Sequence, residues 1–345
     1  MEPTLEIDIR KIEHNTRCIA AHVHRSGGTI FGVTKVFGGN PTIARAMIEG
    51  GVDGLADSRL VNIRRMRASG IDVPMLLVRS PLLSEVDQVV AQATTSLNSE
   101  KEVLVALSTA SLAQGVTHQV ILMTDLGDGR EGVDPLALKD LVDHAQSLAG
   151  LTVAGIGVNL ACFSGVIPTI THMEQLIALA DTCGLRGQAM VLSGGNSSAL
   201  PLLFTSTDDT SRMHCINHWR IGESIFFGWD ILTKEPLKGC YGNACILLAE
   251  VIELQLKPSI TGKISWQAIV ALGTQEIGTG MVTPVLSDLV VVGVSSDHLA
   301  LAVPCEGVIQ VGDILQFYLD YPSLMATATC PYVVFRYVKK LSNCL

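Results

Sequence analysis

From about residue 11 to about residue 228, short apolar runs alternate with amphipathic stretches at a nearly regular spacing. Ile12 to Arg25 predicts an opening helix. Strand-like runs then recur at 29–36, 54–58, 75–79, 94–98, 119–125, 152–160, 189–194 and 218–227. Helical patterns separate them at about 41–50, 59–69, 84–92, 100–114, 135–148, 171–183 and 197–204. Several runs, such as Val120–Met123, are almost wholly apolar, as parallel strands covered on both faces should be. About eight strand signals at this spacing predict an α/β fold of the TIM (β/α)8 type. Periodicity alone also fits a doubly wound sheet. After Gly228 the pattern changes: long helical stretches stop, and strand-like runs appear at 244–256, 268–272, 289–294, 299–303 and 314–318 between turn signals. The expected organisation is a barrel over residues 8–228, followed by a C-terminal antiparallel β domain over 229–345 that also takes up residues 1–7.

Composition narrows the partners. The 345 residues carry a net charge of −9, which argues against nucleic acid or an anionic membrane surface. No apolar run approaches the ~20 residues of a bilayer span. Met1–Glu6 has neither the basic start nor the apolar stretch of a signal peptide, so a cytoplasmic protein is expected. The 9 cysteines are odd in number, scattered and without CxxC spacing, and predict neither a zinc site nor a disulfide framework.

Catalytic residues of such barrels gather at the carboxyl ends of the strands, and four sequence features fall there. Lys35 closes the run Thr29–Val36. An ammonium at the end of a buried strand must be desolvated or paired, and an amine of lowered pKa in that position can form a Schiff base with a carbonyl. A lysine reaching out to solvent is the ordinary alternative. Leu192–Ser198 follows the seventh strand signal, where barrels bind phosphate; its small residues let backbone N–H groups and serine hydroxyls approach an anion. A plain Gly-rich turn with a helix cap fits that stretch equally well. In the eighth strand, Arg220 lies between apolar residues and needs a buried partner, either a barrel carboxylate or the ring nitrogen of a cofactor. Gly222 and the amides after it can extend a phosphate cradle. Arg130, on the Gly-rich loop Thr124–Gly132, can take a carboxylate in bidentate fashion or be a solvated turn arginine.

In order along the chain, Glu6-Ile7-Asp8-Ile9, Val33-Thr34-Lys35, Gly127-x-x-Arg130, Asn196-Ser197 and Arg220-x-Gly222 resemble the alanine racemase family of fold-type III pyridoxal-phosphate enzymes. The longer runs Ala56–Arg59, Asp125–Gly132, Gly155–Leu160, Ser193–Ser198, Arg220–Ser224 and Ser295–Leu299 are similar to its ornithine racemase branch. The resemblance covers almost the whole chain and implies a racemase acting on ornithine, lysine, arginine or alanine with pyridoxal 5′-phosphate. It implies Lys35 as the Schiff-base lysine and one of two racemisation bases, and Arg220 as the partner of the pyridine nitrogen. Ser197, Gly222 and Glu223 would bind phosphate, the last two through their amides. Arg130 would lie at the substrate carboxylate, and Asn159 against the cofactor ring. Tyr332 would be the late phosphate-binding tyrosine, with Tyr321 its rival. A head-to-tail homodimer is implied, each β domain completing its partner's site.

The chain also departs from that pattern. The family's second base is a tyrosine early in the β domain, and the corresponding stretch, Lys257–Ile269, holds no tyrosine or cysteine and is shortened. Inversion at Cα needs a proton removed on one face and another delivered on the opposite face. Asp297 and His298 are the candidates for that second acid, and both fit a surface β-turn equally well. Met123 stands where some alanine racemases carry a carbamylated lysine. These departures motivate a second reading, a pyridoxal-phosphate-binding protein with a cofactor-handling or regulatory role, and a third, another reaction of the same cofactor such as decarboxylation.

Overall fold

The computed structural model describes residues 1–185, 190–205, 215–258 and 264–339. The chain opens with strand β1 (Thr4–Asp8) and helix α1 (Ile9–Arg25). There follow β2 (Thr29–Val33), α2 (Pro41–Glu49), β3 (Gly54–Asp57), α3 (Leu60–Ala68), β4 (Met75–Leu77), α4 (Val86–Gln92), β5 (Thr95–Asn98) and α5 (Lys101–Gln114). Next come β6 (His118–Met123), α6 (Leu138–Ser147), β7 (Leu151–Gly157), α7 (Ile170–Thr182), β8 (Val191–Ser193), β9 (Gly195–Asn196), α8 (Leu200–Thr205), β10 (His218–Ile221) and α9 (Glu223–Phe227). The remainder is mainly strands: β11 (Cys245–Pro258), β12 (Ile264–Val270), then α10 (Thr274–Ile277), β13 (Val282–Pro284), β14 (Val290–Val294), β15 (Leu299–Val303), β16 (Ile314–Leu319), α11 (Tyr321–Thr327) and β17 (Val334–Val338).

Two compact units result, one of Ile12–Cys240 and the other of Met1–Lys11 with Tyr241–Leu345. The first is a parallel barrel with strand order β8-β7-β6-β5-β4-β3-β2-β10-β9. Its seventh strand signal is split at Gly194: β8 pairs with β7, and its two-residue continuation β9 pairs with β10. That division carries the ring from β7 round to β10. Inside lie side chains at two-residue spacing: Phe31 and Val33 from β2, Ile121 and Met123 from β6, with Ala56, Leu76, Leu97, Ala154 and Val191. Strand alternation puts such residues on one face.

Two expected strands end early. The run 29–36 stops at Val33, because Thr34 takes helical dihedrals (φ −89°, ψ −2°) and Lys35–Phe37 form a 3-10 turn closed by Gly38 at φ 56°. The run 218–227 stops at Ile221, and Glu223–Phe227 are helical. Apolar character was the same on both sides of these breaks, so hydrophobicity could not mark them.

The second unit holds an antiparallel sheet in the order β13-β16-β11-β12-β15-β14, to which β1 and β17 add. β1 pairs antiparallel with β11 and parallel with β17, so the first strand of the chain is built into this sheet. No described helix is long and apolar enough to cross a membrane.

Candidate active site

In a parallel barrel every strand delivers its carboxyl end to the same face, and the barrel-borne candidates lie there. Lys35 is half-buried at the end of β2. Its neighbour in the ring is β10: Arg220 pairs with Phe31 and Ile221 with Gly32. A Cβ added to Gly222 would lie 3.0 Å from the Val33 carbonyl oxygen. Glycine thus lets the chain after β10 run close beside the end of β2, two residues before Lys35.

Arg220 is 6% exposed. Its Nη2 donates to the Val158 carbonyl at 2.8 Å, while Nη1 is buried with no hydrogen-bond partner. Burial lowers its pKa to about 10, and the nearby Arg130 adds to the effect while Cys162 and Glu131 oppose it. The guanidinium stays charged at neutral pH with one donor edge unused. Next to Val158 in sequence, Asn159 has a buried Nδ2 without partner, and its Oδ1 accepts from Asn196 Nδ2 at 3.4 Å.

The stretch after β9 is fixed by its own polar groups. Asn196 Oδ1 accepts from the Ser198 amide, and its Nδ2 donates to the Leu160 carbonyl at 2.8 Å. Ser197, 6% exposed, accepts at Oγ from the amides of Gly222 (3.4 Å) and Ser224 (3.5 Å). Both contacts are long, so these amides keep donor capacity. Ser224 Oγ is buried without a partner; it stands in a motif singled out from the sequence, yet it was not among the candidates. Its signal was a serine on the buried face of an otherwise apolar turn. Gly195 is glycine for a packing reason: an added Cβ would lie 2.1 Å from the Trp219 ring, and its φ is not positive. Glu223 is half-buried, its Oε1 3.6 Å from Lys234 Nζ.

Arg130 is exposed and paired with Glu131 at 3.0 Å. Its loop is internally braced. Asp125 accepts from the amides of Gly127 and Gly129. Asp128, 2% exposed, accepts at Oδ1 from the amides of Cys162, Phe163 and Ser164 at 3.2–3.3 Å, which ties the loop after β6 to the loop after β7.

Beneath Arg220 on the same face of β10, His218 is 3% exposed, hydrogen-bonded through Nδ1 to Ser193 Oγ at 2.7 Å and packed on Phe31. Burial, with the charge of Arg220 added, lowers its pKa to about 3. His118, hydrogen-bonded to Ser96 Oγ, is lowered to about 4 by burial. Both folded values lie below the usual 6.5, so between these values and pH 6.5 the unfolded chain binds more protons. Stability is therefore expected to fall as pH drops from 6.5 towards 3, at a limiting slope of roughly 1.4 kcal/mol per pH unit for each histidine. Denaturant titrations across that range check this. His218→Gln should flatten the slope, and an unchanged slope would refute the assignment.

Asp297 and Tyr332 lie in the second unit. Asp297 is exposed in the turn between β14 and β15, where it accepts from Gln275 Nε2 and Ser296 Oγ. Tyr332 is 59% exposed in the turn before β17, and Tyr321 is half-buried at the start of α11. Within Lys257–Ile269, the shortened stretch, residues 259–263 lie outside the described residues. Among the described residues no group of three or more His, Cys, Asp or Glu is placed to hold a metal ion.

The family model "Alanine racemase, N-terminal domain" matches residues 7–229. The lysine racemase of Thermotoga maritima is 33% identical, over 96% of this chain and 97% of its own length. The ornithine racemase of Acetoanaerobium sticklandii is 31% identical, over 96% and 99% respectively. Among solved structures, the alanine racemase of Bartonella henselae with covalently bound pyridoxal phosphate superposes with a TM-score of 0.77 at 16% identity, covering 98% of this chain and 100% of that one. This chain belongs to the alanine racemase family.

Proposed function

We propose that this amino-acid racemase acts on the basic amino acids lysine and ornithine, with pyridoxal 5′-phosphate held at Lys35. The observation that carries the reading is the set of buried donors at one end of the barrel: Arg220 Nη1, Asn159 Nδ2 and Ser224 Oγ, none with a protein acceptor. Buried donors are costly unless they meet an acceptor. A ring nitrogen and a phosphate would supply acceptors, and Lys35 sits in the turn that follows the adjacent strand, so the residues present fit this cofactor. The lysine and ornithine racemases that match along nearly the full chain support the substrate class.

When bound, the cofactor makes the α-hydrogen of an attached amino acid acidic by acting as an electron sink. In the proposed roles, Lys35 Nζ anchors the cofactor and then carries a proton to or from Cα on one face. Arg220 faces the ring nitrogen as a donor that keeps its proton at neutral pH. Ser197 and the amides of Gly222 and Glu223 hold the phosphate, and Asn159 steadies the ring. Arg130 orients the substrate carboxylate. The proposal includes a homodimer whose second copy brings Asp297 and Tyr332, the first as the acid on the opposite face and the second as a further phosphate ligand.

The test is incubation of the cofactor-loaded protein with L-lysine, L-ornithine and L-alanine in deuterated water. Inversion with deuterium at Cα, faster for the two basic substrates, is the expected result. Exchange with retention would leave one working face and remove the role given to Asp297. Absence of both exchange and cofactor uptake would overturn the reading.

A further inference from the structure

Asp57 has no part in the roles above, yet it is a fully buried carboxylate (0% exposed) at the carboxyl end of β3, beside the strand that delivers Lys35. Burial raises its pKa. Three donors bond to it: Thr34 Oγ1 donates to Oδ2 at 2.8 Å, and Asn62 Nδ2 and the Arg59 amide donate to Oδ1 at 2.9 and 3.0 Å.

These bonds close a frame around the turn that carries Lys35. Thr34, itself 0% exposed, is the residue before Lys35, and its carbonyl accepts from the Phe37 amide. At the far end of the turn, Arg65 of α3 donates to the Gly38 carbonyl at 2.5 Å. Gly39, at φ +68°, approaches Asn62 so closely that an added Cβ would lie 2.6 Å from the Asn62 carbonyl oxygen. Asn62 returns to Asp57. The turn is thereby fastened to α3 at both ends, at its start through Asp57, which joins Thr34 to Asn62, and at its far end directly by Arg65.

We propose that Asp57 is a positioning residue for Lys35, acting through the Thr34 hydroxyl. The inference rests on the reading that Lys35 is the attachment point of the cofactor. A carboxylate suits the position because it accepts from all three donors at once. Loosening a supporting shell by about an ångström can cost a reaction roughly a hundredfold.

The test uses the cofactor-free full-length protein and two ligands. Pyridoxal phosphate reports attachment, read by visible absorption, borohydride trapping and the mass of the Lys35 peptide. Pyridoxine 5′-phosphate has no aldehyde and reports the phosphate and ring contacts alone. Thr34→Val should slow attachment at Lys35 by about tenfold or more while pyridoxine phosphate affinity stays within about twofold. Thr34→Ser, which restores the hydroxyl, should recover the rate, and Asp57→Ala should match Thr34→Val where it folds. Attachment at the wild-type rate in Thr34→Val overturns the proposal, as does a parallel loss of both ligands, which marks a general folding role. If wild type is not labelled at Lys35, both this inference and the cofactor reading fall. If wild type is labelled and Thr34→Val is unaffected, this inference alone falls.

Discussion

Lys35→Ala is expected to abolish covalent uptake of pyridoxal phosphate and to lower racemisation by roughly four orders of magnitude or more. On the proposed reading two functions go with one side chain: the amine that anchors the cofactor and the group that moves a proton on its face of Cα. The fold should survive. Lys35 is half-buried, whereas the contacts that shape its turn belong to Thr34, Gly38 and Gly39. The measurements are the visible absorption of the loaded protein, the optical rotation of L-lysine over time and a thermal melt. Retained absorption in the alanine variant would place the attachment elsewhere. The same variant tests the dimer. Co-folding Lys35→Ala with Asp297→Ala should regenerate about a quarter of wild-type activity, since half of a random mixture is hybrid and each hybrid holds one intact site. No recovery would argue that Asp297 serves its own subunit or no site at all.

Arg220→Leu is the second large effect. It should lower the turnover rate about a hundredfold to a thousandfold, the usual cost of removing a preorganised donor from a site. Stability should respond differently. An apolar side chain of similar reach relieves the burial of a charge that has a single hydrogen bond, to the Val158 carbonyl. Replacing such a group is often neutral or stabilising. The cofactor-free variant is therefore expected to melt at or above the wild-type temperature while losing activity. A variant that keeps activity within tenfold would show that Arg220 is a structural residue.

How much of this was legible in the sequence depended on where the signal resided. The barrel strands were readable because burial on both faces writes itself as continuous apolar runs, and Val120–Met123 is found inside β6 as expected. The seventh run did not disclose that it is two strands. The break falls at Gly194, and the reason for the neighbouring glycine is the Trp219 ring pressed against Gly195, which is remote in sequence. In the β unit, β13, β17 and the short helices α10 and α11 lay outside the expected runs. The sequence, read with its family resemblance, did single out Ser197, Arg220 and Gly222, which the fold joins through the Gly222–Ser197 contact and the β10 register. It gave no hint of Asp57 as a hub. The available signal was a carboxylate ending the strand Gly54–Asp57, all four residues of which are buried, and only the position of Thr34 gives that oddity a meaning.

The bond from Asp128 to three successive amides has a consequence for how such a protein can diversify. It makes the loop that bears Arg130 and the loop that follows Asn159 a single body. An insertion in either would pull on the other, so lengthening these loops to admit a new side chain would also disturb the contacts of Asn159. Descendants of this architecture would have to change their diet through the walls of the mouth rather than through these two loops.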